Sequence, residues 1–386
     1  NTLHHLMQLA IDEDLAALER SSLSADHKKP KRELLRLKQS LWRSSRRKTN
    51  SMALRGSDGH MITSTHDIST HLITYWSQIF EAKGIDHEAA AHFLQHAQPI
   101  PVDFNWEVLH EAFASAIAST GSSAPGPDGI PYGAWWHATP PCHDVLFRLL
   151  DDLLSTEGAL PDGFNTSHMI FIPKGDEIGD DLIIGRSAGD LRPLNLSNTD
   201  NKLVSLALNS RLSALCQVTV AEQQRGFVSG RQIEDNLFTL ESAAMAFSAT
   251  NIRRAAIILF DFSTAFPSIA HAWIFLILTT MGIPACFITA VQLLYLNCLA
   301  GLIFNGMGLD AIFIASGIKQ GCPLSGSIFA LAIDPLIRYL LAASVLGSMQ
   351  ITAYADDLAI VIANLFTQLP LILQAFRSWA LASCLN

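Results

Sequence analysis

The chain has 386 residues, of which 49% are hydrophobic and only 16% are charged, against about 25% charged in a typical soluble domain. This composition excludes disordered, collagen-like and low-complexity proteins and leaves a packed globular protein or a membrane protein. The net charge of −9 argues against a protein whose whole surface binds a nucleic acid backbone.

The cysteines indicate the redox environment of the protein, and the chain ends indicate whether the sequence is a fragment. Its six cysteines are far apart and form no C-x-x-C pair, which predicts neither a disulfide framework nor a zinc ribbon. We therefore expect an intracellular, reducing environment. The chain begins without Met and ends without turn or tail chemistry, so we expect a fragment of a longer protein.

The pattern of residues 1–110 predicts helices. Residues 20–55 contain twelve Lys or Arg against two Asp or Glu, a local net charge of +10. Pro30 can open a helix that carries leucines on one stripe and basic residues around it. The basic stretch 28–48 is then either a solvated helix face or a binding surface for an acidic partner.

A boundary of the main domain is predicted near residue 111. The segment 122–131 (SSAPGPDGIP) is dense in Gly and Pro and indicates a structured loop. A helix is predicted around 144–154, and a strand at 168–172 leads into Pro173 and Lys174. The polar segment 175–190 is predicted to be a loop.

Three apolar runs of strand length follow. Residues 255–260 form a continuous run that ends at Asp261, and residues 349–353 and 358–363 flank the sequence YADD. The second pair predicts a β-hairpin whose tip carries Asp356 and Asp357.

A long charge-free segment keeps the membrane alternative open. No charged residue occurs in 272–309, which is longer than the roughly 20 residues that a membrane-spanning helix needs. Gly282, Pro284 and several later Gly and Asn residues interrupt it, so we predict a buried helix followed by a hairpin and no membrane span.

The acidic residues at the strand ends predict a metal site. Asp is common in turns, which is one explanation of the pair at the hairpin tip. However, adjacent carboxylates in apolar surroundings are costly unless a cation neutralises them. A sheet can bring Asp261 beside the pair, and three carboxylates can hold two Mg²⁺ ions. Two such ions support in-line displacement at phosphorus, as in a nucleotide polymerase.

Two sequence boxes around these residues resemble those of a known family. YADD at 354–357 matches a YxDD box, and DFSTAF at 261–266 matches a D-x-x-x-A-F box. Together they resemble the reverse transcriptases of non-LTR (LINE-like) retrotransposons. The resemblance implies that Asp261, Asp356 and Asp357 are the catalytic metal ligands, with the carbonyl of Phe262 as a further ligand, and that the ring of Phe266 excludes a 2′-hydroxyl.

Further boxes occur in the family's order. IPK at 172–174 and LRPL at 191–194 imply that Lys174 and Arg192 bind the triphosphate of the nucleotide. GIKQGCPLS at 317–325 implies that Gln320 binds near the nucleotide. The resemblance further implies a set of residues that contact the template or primer or shape the loop: Gly317, Gly321, Pro323, Ser325 and Tyr354.

Weaker matches and one departure complete the comparison. Asn198, Lys202 and Arg211 resemble the family's N-x-x-x-K…R, residues 224–231 resemble Q-x-G-F-x-x-G-R, and 124–131 resembles its P-G-x-D-G-I loop. Pro267 replaces an Asp that many relatives have after the A-F pair, and we expect it to change a helix start without affecting the metal ligands.

The resemblance implies an α+β fold of the right-hand polymerase type. We expect an N-terminal extension at 1–110, fingers at 111–255 and a palm at 256–386, with an antiparallel palm sheet backed by helices and no thumb. The implied cofactor is a pair of Mg²⁺ ions, which Mn²⁺ can replace. The implied partners are template RNA, DNA primer and dNTPs, in a nuclear or cytoplasmic ribonucleoprotein.

Three alternatives remain at this point. An RNA-dependent RNA polymerase shares the acidic pair, although it usually has Gly before the pair and a polar residue in place of Phe266. An inactive or co-opted fragment would bind RNA through the basic stretch without catalysis. A polytopic membrane protein would use the charge-free segment. The oligomeric state is not predicted.

Overall fold

The computed structural model describes residues 16–20, 28, 31, 52–56, 58–121, 123–155, 158–177, 180, 184–250, 254–344 and 348–385. The chain divides into two compact units, residues 1–52 with 176–184 and residues 53–175 with 185–386. In the first unit, a helical turn occupies residues 16–20. The predicted basic helix over 28–48 lies outside the described residues except for Lys28 and Lys31. The second unit contains the features that follow.

Runs of strands and runs of helices follow one another along the chain, as expected for the predicted α+β class. The strands are β1 (Met52–Arg55), β2 (Met61–Ile62), β3 (Ser167–Pro173), β4 (Ile184–Arg186), β5 (Leu191–Ser197), β6 (Ala256–Phe260), β7 (Cys298–Phe304), β8 (Met307–Ile314), β9 (Met349–Tyr354) and β10 (Asp357–Ile362). The helices are α1 (Thr65–Phe80), α2 (His87–Leu94), α3 (His110–Ser119), α4 (Tyr132–Trp136), α5 (Pro140–Leu153), α6 (Thr199–Thr219), α7 (Ile233–Ala249), α8 (Ala265–Ser268), α9 (His271–Thr280), α10 (Ala285–Tyr295), α11 (Ser325–Ala343) and α12 (Leu365–Ser383).

The prediction that residues 1–110 are helical is wrong at β1 and β2, which pair antiparallel with Leu54 opposite Ile62. These strands are too short to show a period of two, so their pattern carried no strand signal. The prediction of a loop at 175–190 is also wrong in part, because β4 and a short 3-10 helix (Ala188–Asp190) lie there. Buried Arg186 donates hydrogen bonds to the carbonyls of Gly175 and Gly185, and this pairing lets a polar segment become ordered.

The predicted acidic hairpin is confirmed. β9 and β10 are antiparallel with Asp357 opposite Tyr354, and β6 pairs antiparallel with the other edge of β10, which gives the strand order β6-β10-β9. Ile351 and Ile360 lie opposite each other and are buried. This alternation fixes the register, since a slip by one residue would turn the apolar side chains away from the core.

The charge-free segment forms α9, α10, β7 and the start of β8. Gly282, with φ +85°, lies between the two helices, and Asn305 and Gly306, both with positive φ, form the two-residue turn of the β7-β8 hairpin. The predicted helix followed by a hairpin is therefore confirmed, with two short helices in place of one. β7 and β8 belong to a second sheet of order β5-β3-β7-β8, in which β3 and β7 are parallel.

Among the described helices, α11 alone has the length and apolar composition that would allow it to cross a membrane. Its most apolar 18-residue stretch is 67% buried within the fold. This helix lies outside the charge-free segment 272–309, which had kept the membrane alternative open.

The core lies between α11 and the helices around it. The indole rings of Trp273 on α9 and Trp379 on α12 meet edge to face at 5.0 Å, and the ring of Phe93 on α2 packs against Trp379 at the same distance. All three side chains are fully buried. Large buried aromatic rings each contribute several kcal/mol, so this cluster stabilises the packing of α2, α9 and α12 within the second unit.

Asp334 on α11 links this core to the chain segment after α6. It is 3% exposed and accepts hydrogen bonds from the Ala221 amide (2.7 Å) and from Arg338 Nε (2.6 Å). Replacing Asp334 with Ala leaves a buried amide and a guanidinium without their acceptor. We expect Asp334→Ala to lower the free energy of unfolding by about 2–4 kcal/mol, measured by urea denaturation.

The control is Asp144→Ala. Asp144 pairs with His110 at 2.9 Å, but both side chains are nearly half exposed. Solvent weakens such a pair, so this substitution should cost about 1 kcal/mol or less. Equal losses in the two variants would contradict the assigned role of Asp334.

Candidate active site

The hairpin tip has a two-residue turn made by Ala355 and Asp356. Ala355 has φ +57° and is buried, whereas Tyr354 is 39% exposed. A residue with a Cβ in this conformation costs about 1–2 kcal/mol, so the contacts around Ala355 must hold it there. The turn therefore presents Asp356 in one defined orientation.

Asp261 reaches the same place from β6. Phe260, the last residue of β6, lies opposite Leu358 on β10, so Asp261 comes next to Asp357 as the chain leaves the sheet. The strand pairing thus brings together the predicted carboxylates, although Asp261 is 95 positions before Asp356 in the sequence.

A cavity of about 330 Å³ opens beside this turn. Its lining combines predicted site residues from both sheets. The lining residues are Trp76, Lys174, Leu191, Arg192, Pro193, Asp261, Phe262, Ser263, Thr264, Ala265, Phe266, Pro267, Gln320 and Asp356. Asp357 and Tyr354 do not line it.

The acidic groups of this site repel one another. Burial raises the pKa of Asp356 above its ordinary value, and the carboxylates of Asp357 and Asp261 raise it further. A backbone hydrogen bond and the Arg192 guanidinium lower the same pKa without cancelling the rise. The carboxylates are therefore close enough to interact, and their negative charge is only partly balanced by the protein.

The three carboxylates are not arranged as a finished ligand set. Across the described ranges, no group of three or more His, Cys, Asp or Glu side chains converges closely enough to bind one metal ion. Two carboxylates, from Asp261 and Asp356, line the cavity together with Phe262. A metal ion at this site would need ligands from solvent or from a bound substrate in addition.

Two cations line the same cavity as the carboxylates. Arg192 on β5 is opposite Ile172 on β3, and Lys174 follows the end of β3, so strand pairing places both near one edge. Lys174 Nζ donates to the carbonyl of Gly189 at 2.9 Å. Its ammonium is thus held at the wall of the cavity by a backbone group.

Phe266 forms another part of the wall. Its ring stacks on Phe329 of α11 at 4.7 Å with an interplanar angle of 10°, and the exposed ring of Phe227 meets it edge to face at 5.6 Å. Pro267 lies inside the short helix α8. Packing on both sides restrains the Phe266 ring.

The glycine-rich loop is pressed against the segment that bears Phe266. Gly317 has φ +80°, and a Cβ at this position would lie 2.4 Å from the Pro267 carbonyl oxygen. The Ile318 amide donates to the carbonyl of Phe266 at 2.6 Å. Only glycine allows this approach, which joins the loop to α8.

The remaining loop residues surround a second cavity of about 440 Å³ next to the first. Phe266 and Gln320 line both cavities. Of the predicted loop positions, Gly321, Pro323 and Ser325 line the second cavity, whereas Gly317 lies outside both.

The weaker motifs have structural contacts. Asn198 Oδ1 accepts a hydrogen bond from the Asp128 amide at 3.2 Å, and Lys202 Nζ donates to the Ala124 carbonyl at 3.1 Å. A Cβ on Gly126 would lie 2.4 Å from the Asn198 amide nitrogen. These contacts fasten the Pro- and Gly-rich loop to the start of α6 and leave both side chains outside the cavity lining.

Trp76 is a cavity residue that sequence reasoning missed. It lies on α1, is fully buried and packs against Phe80 and Phe171. Its Nε1 makes no hydrogen bond within the described chain. No motif marks this position, and only the packing of α1 against β3 brings it to the cavity.

The carboxylate repulsion predicts a gain in stability on removing one charge. We expect Asp356→Asn to raise the Tm of the metal-free chain by roughly 1–3 °C at pH 7. Because the folded state raises the pKa of Asp356, it binds that proton more tightly than the unfolded state does, and ionisation costs stability above the raised pKa. The gain should therefore shrink as the pH falls toward about 4.

Thermal unfolding in a chelating buffer from pH 4 to 8 tests this prediction. Asp103→Asn is the control, because Asp103 is exposed and lies outside the cavity lining. A lower Tm for Asp356→Asn than for the wild type at pH 7 would argue against repulsion at the turn.

Comparison with known proteins identifies the family. A model of the family described as "Reverse transcriptase (RNA-dependent DNA polymerase)" matches residues 172–386, more than half of the chain. The match includes every residue that the sequence predicted for the site.

Similar proteins come from retrotransposable elements. The chain is 30% identical over 260 residues to the Pol polyprotein of type-2 retrotransposable element R2DM of Drosophila melanogaster, covering 66% of this chain and 23% of that protein. It is 27% identical over 255 residues to the transposon TX1 uncharacterized 149 kDa protein of Xenopus laevis, covering 63% and 18%.

A third relative is the Pol polyprotein of type-1 retrotransposable element R2 of Bradysia coprophila, at 25% identity over 274 residues and coverages of 70% and 29%. The chain thus spans less than a third of the length of each of these three relatives. The predicted resemblance is confirmed: the chain belongs to the reverse transcriptase (RNA-dependent DNA polymerase) family and is related to its LINE-like retrotransposon members.

Proposed function

We propose that the chain is the RNA-directed DNA polymerase region of a LINE-like retroelement and adds dNTPs to a primer 3′-hydroxyl on an RNA template. The observation that carries this proposal is the first cavity. There Asp261 and Asp356 share one space with the cations Lys174 and Arg192 and with the ring of Phe266. Carboxylates and cations that line one cavity suit a substrate that is a metal-bound triphosphate.

The donor groups of the cavity fit Mg²⁺, for which Mn²⁺ can substitute. Mg²⁺ keeps several waters and is usually held by one or two carboxylates together with substrate phosphates. Asp261, Asp356 and the backbone of Phe262 would hold it, with Asp357 as a further carboxylate close by. The incompletely balanced charge at Asp356 supports this assignment, since a cation would relieve it. A pair of bound ions supplies activation of the primer hydroxyl and stabilisation of the leaving oxygen.

The side chains of the cavity have separate roles in this proposal. Arg192 binds phosphate oxygens through its guanidinium, and Lys174 exchanges its hydrogen bond with the Gly189 carbonyl for a phosphate oxygen. The Phe266 ring packs under the sugar and leaves no space for a 2′-hydroxyl. Its stacking on Phe329 supports this role, because a restrained ring discriminates better than a mobile one.

We further propose a right-hand arrangement for the chain. Residues 111–255 would form the fingers and residues 256–386 the palm, with the β6-β10-β9 sheet as the palm sheet and 1–110 as an N-terminal extension. We assign no residue of this chain to a thumb. Template RNA and DNA primer would lie along the acidic turn and the second cavity, and the protein would act in a ribonucleoprotein.

Primer extension tests the proposed function directly. A DNA primer annealed to an RNA template is incubated with dNTPs, Mg²⁺ and either the wild-type chain or Asp356→Asn. Mutation of a residue that hydrogen-bonds to a metal ligand typically lowers activity by about 10- to 100-fold. Loss of a carboxylate that itself binds the metal should therefore reduce primer extension by at least about 100-fold.

Asp103→Asn should extend the primer as the wild type does. Equal extension by wild type and Asp356→Asn would contradict the proposal. Incorporation of NTPs in preference to dNTPs by the wild type would favour the RNA-dependent RNA polymerase, and RNA binding without extension would favour a non-catalytic role.

Phe266→Ala should relax sugar selection. Removing the ring opens space beside the 2′ position, and we expect the dNTP/NTP ratio of kcat/KM to fall by about 10- to 100-fold. Single-nucleotide incorporation with dCTP and CTP measures the ratio. Phe113→Ala is the comparison, since this buried ring packs against Phe147 and lies outside the cavity lining. An unchanged dNTP/NTP ratio in Phe266→Ala would contradict the proposed role of Phe266 in sugar selection.

A further inference from the structure

Gln224 is a fully buried polar residue directly behind the acidic turn. Its Oε1 accepts hydrogen bonds from the amides of Ala355 and Gly226, both at 2.8 Å. Its Nε2 donates to the carbonyl of Ala355 at 3.0 Å. One side chain thus binds both backbone groups of the turn residue that precedes Asp356.

These hydrogen bonds act where the backbone is strained. Ala355 has φ +57°, a conformation that favours glycine and costs an alanine about 1–2 kcal/mol. Without contacts that require this conformation, the turn would relax toward a more favourable φ. Because Asp356 is the next residue, a change in the Ala355 backbone would move its carboxylate.

The chain around Gln224 is also pressed onto the turn. A Cβ at Gly226 would lie 2.1 Å from the Ala355 nitrogen, so only glycine allows this approach. The Arg225 amide donates to the Ala353 carbonyl at 2.9 Å, and the Ala353 amide donates to the Gln223 carbonyl at 2.8 Å. The segment therefore runs beside β9 as a short parallel bridge up to the turn.

The segment is itself fixed from behind. Arg231 Nη1 donates to the carbonyls of Gln224 (2.7 Å) and Ala221 (2.6 Å), and Asp334 accepts from the Ala221 amide. Asn236 on α7 donates to the Ala353 carbonyl at 3.0 Å. The Gln224 backbone is thus bound by Arg231, and the Gln224 side chain binds the backbone of Ala355 in the turn.

We propose that Gln224 is a positioning residue that fixes the Ala355 backbone and thereby orients the Asp356 carboxylate for metal binding. The inference rests on the proposed function, which assigns Asp356 to the metal. It adds a role for Gln224, a residue that does not line the cavity. A tightly hydrogen-bonded buried amide determines the geometry of a group that it does not touch.

The test is Gln224→Met, which keeps the length of the side chain and removes all three hydrogen bonds. We expect the Mg²⁺ concentration for half-maximal primer extension to rise about tenfold, with little change in the dNTP KM at saturating Mg²⁺. Binding of Mn²⁺ to the chain alone, followed by electron paramagnetic resonance, should weaken by a similar factor. Gly226→Ala places a Cβ against the Ala355 nitrogen and so disturbs the same turn. It should also raise the Mg²⁺ requirement and weaken Mn²⁺ binding.

Two controls separate positioning from stability. Gln223→Met makes the same change one residue earlier, at a side chain that forms no hydrogen bond within the described chain, and should leave both values unchanged. Leu150→Ala lowers stability at a fully buried site on α5 and should also leave them unchanged.

Each outcome decides the proposal. Unchanged Mg²⁺ dependence and Mn²⁺ binding in Gln224→Met would overturn it, as would an equal shift in Leu150→Ala. If Gln224→Met does not fold, unchanged values in Gly226→Ala would overturn it. If the wild type does not extend a primer, the proposed function fails, and Mn²⁺ binding by the variants still decides whether Gln224 positions the turn.

Discussion

The burial of a carboxylate beside two others at the ends of apolar strands is the constraint on which the active site depends. Asp356, Asp357 and Asp261 meet where β6 and the β9-β10 hairpin end, and burial together with their mutual repulsion raises the pKa of Asp356. Folding therefore brings together groups that would separate if they were free. The apolar pairing of the strands supplies the free energy that holds them in place, and a divalent cation would reduce the cost.

Close backbone approach is the second requirement of this site. Gly226 lies against the Ala355 amide, and Gly317 lies against the Pro267 carbonyl, both at distances that no Cβ would permit. These contacts join two pairs of chain segments, and the members of each pair are far apart in sequence. The contacts lie beside the cavity, and the Phe266 ring in its lining is packed against Phe329.

The sequence predicted the parts of the fold whose signal is local. The strands beside Asp261 and around the YADD turn, and the hairpin within the charge-free segment, follow from apolar runs and turn residues, and they occur as predicted. Strands β1, β2 and β4 were not predicted, because two to four residues carry no periodicity. Burial of Arg186 in β4 also depends on hydrogen bonds to carbonyls that only the folded chain brings near it.

The same division applies to the candidate site. Motif spacing marked Asp261, Asp356, Lys174 and Arg192, which the fold brings to one cavity. It did not mark Trp76, since the contact depends on the packing of a distant helix. It also left Gln224 without a role, because the strain at Ala355 that this side chain offsets is visible only in the folded backbone.

The most direct measurement of the central claim is a crystal structure of the chain with Mn²⁺ and a non-hydrolysable dNTP, with the metal located by its anomalous scattering. Our account predicts density within about 2.5 Å of carboxylate oxygens of both Asp261 and Asp356, with the triphosphate toward Arg192. Metal bound elsewhere, or an Asp261 carboxylate that stays too far from Asp356 to share an ion, would contradict it.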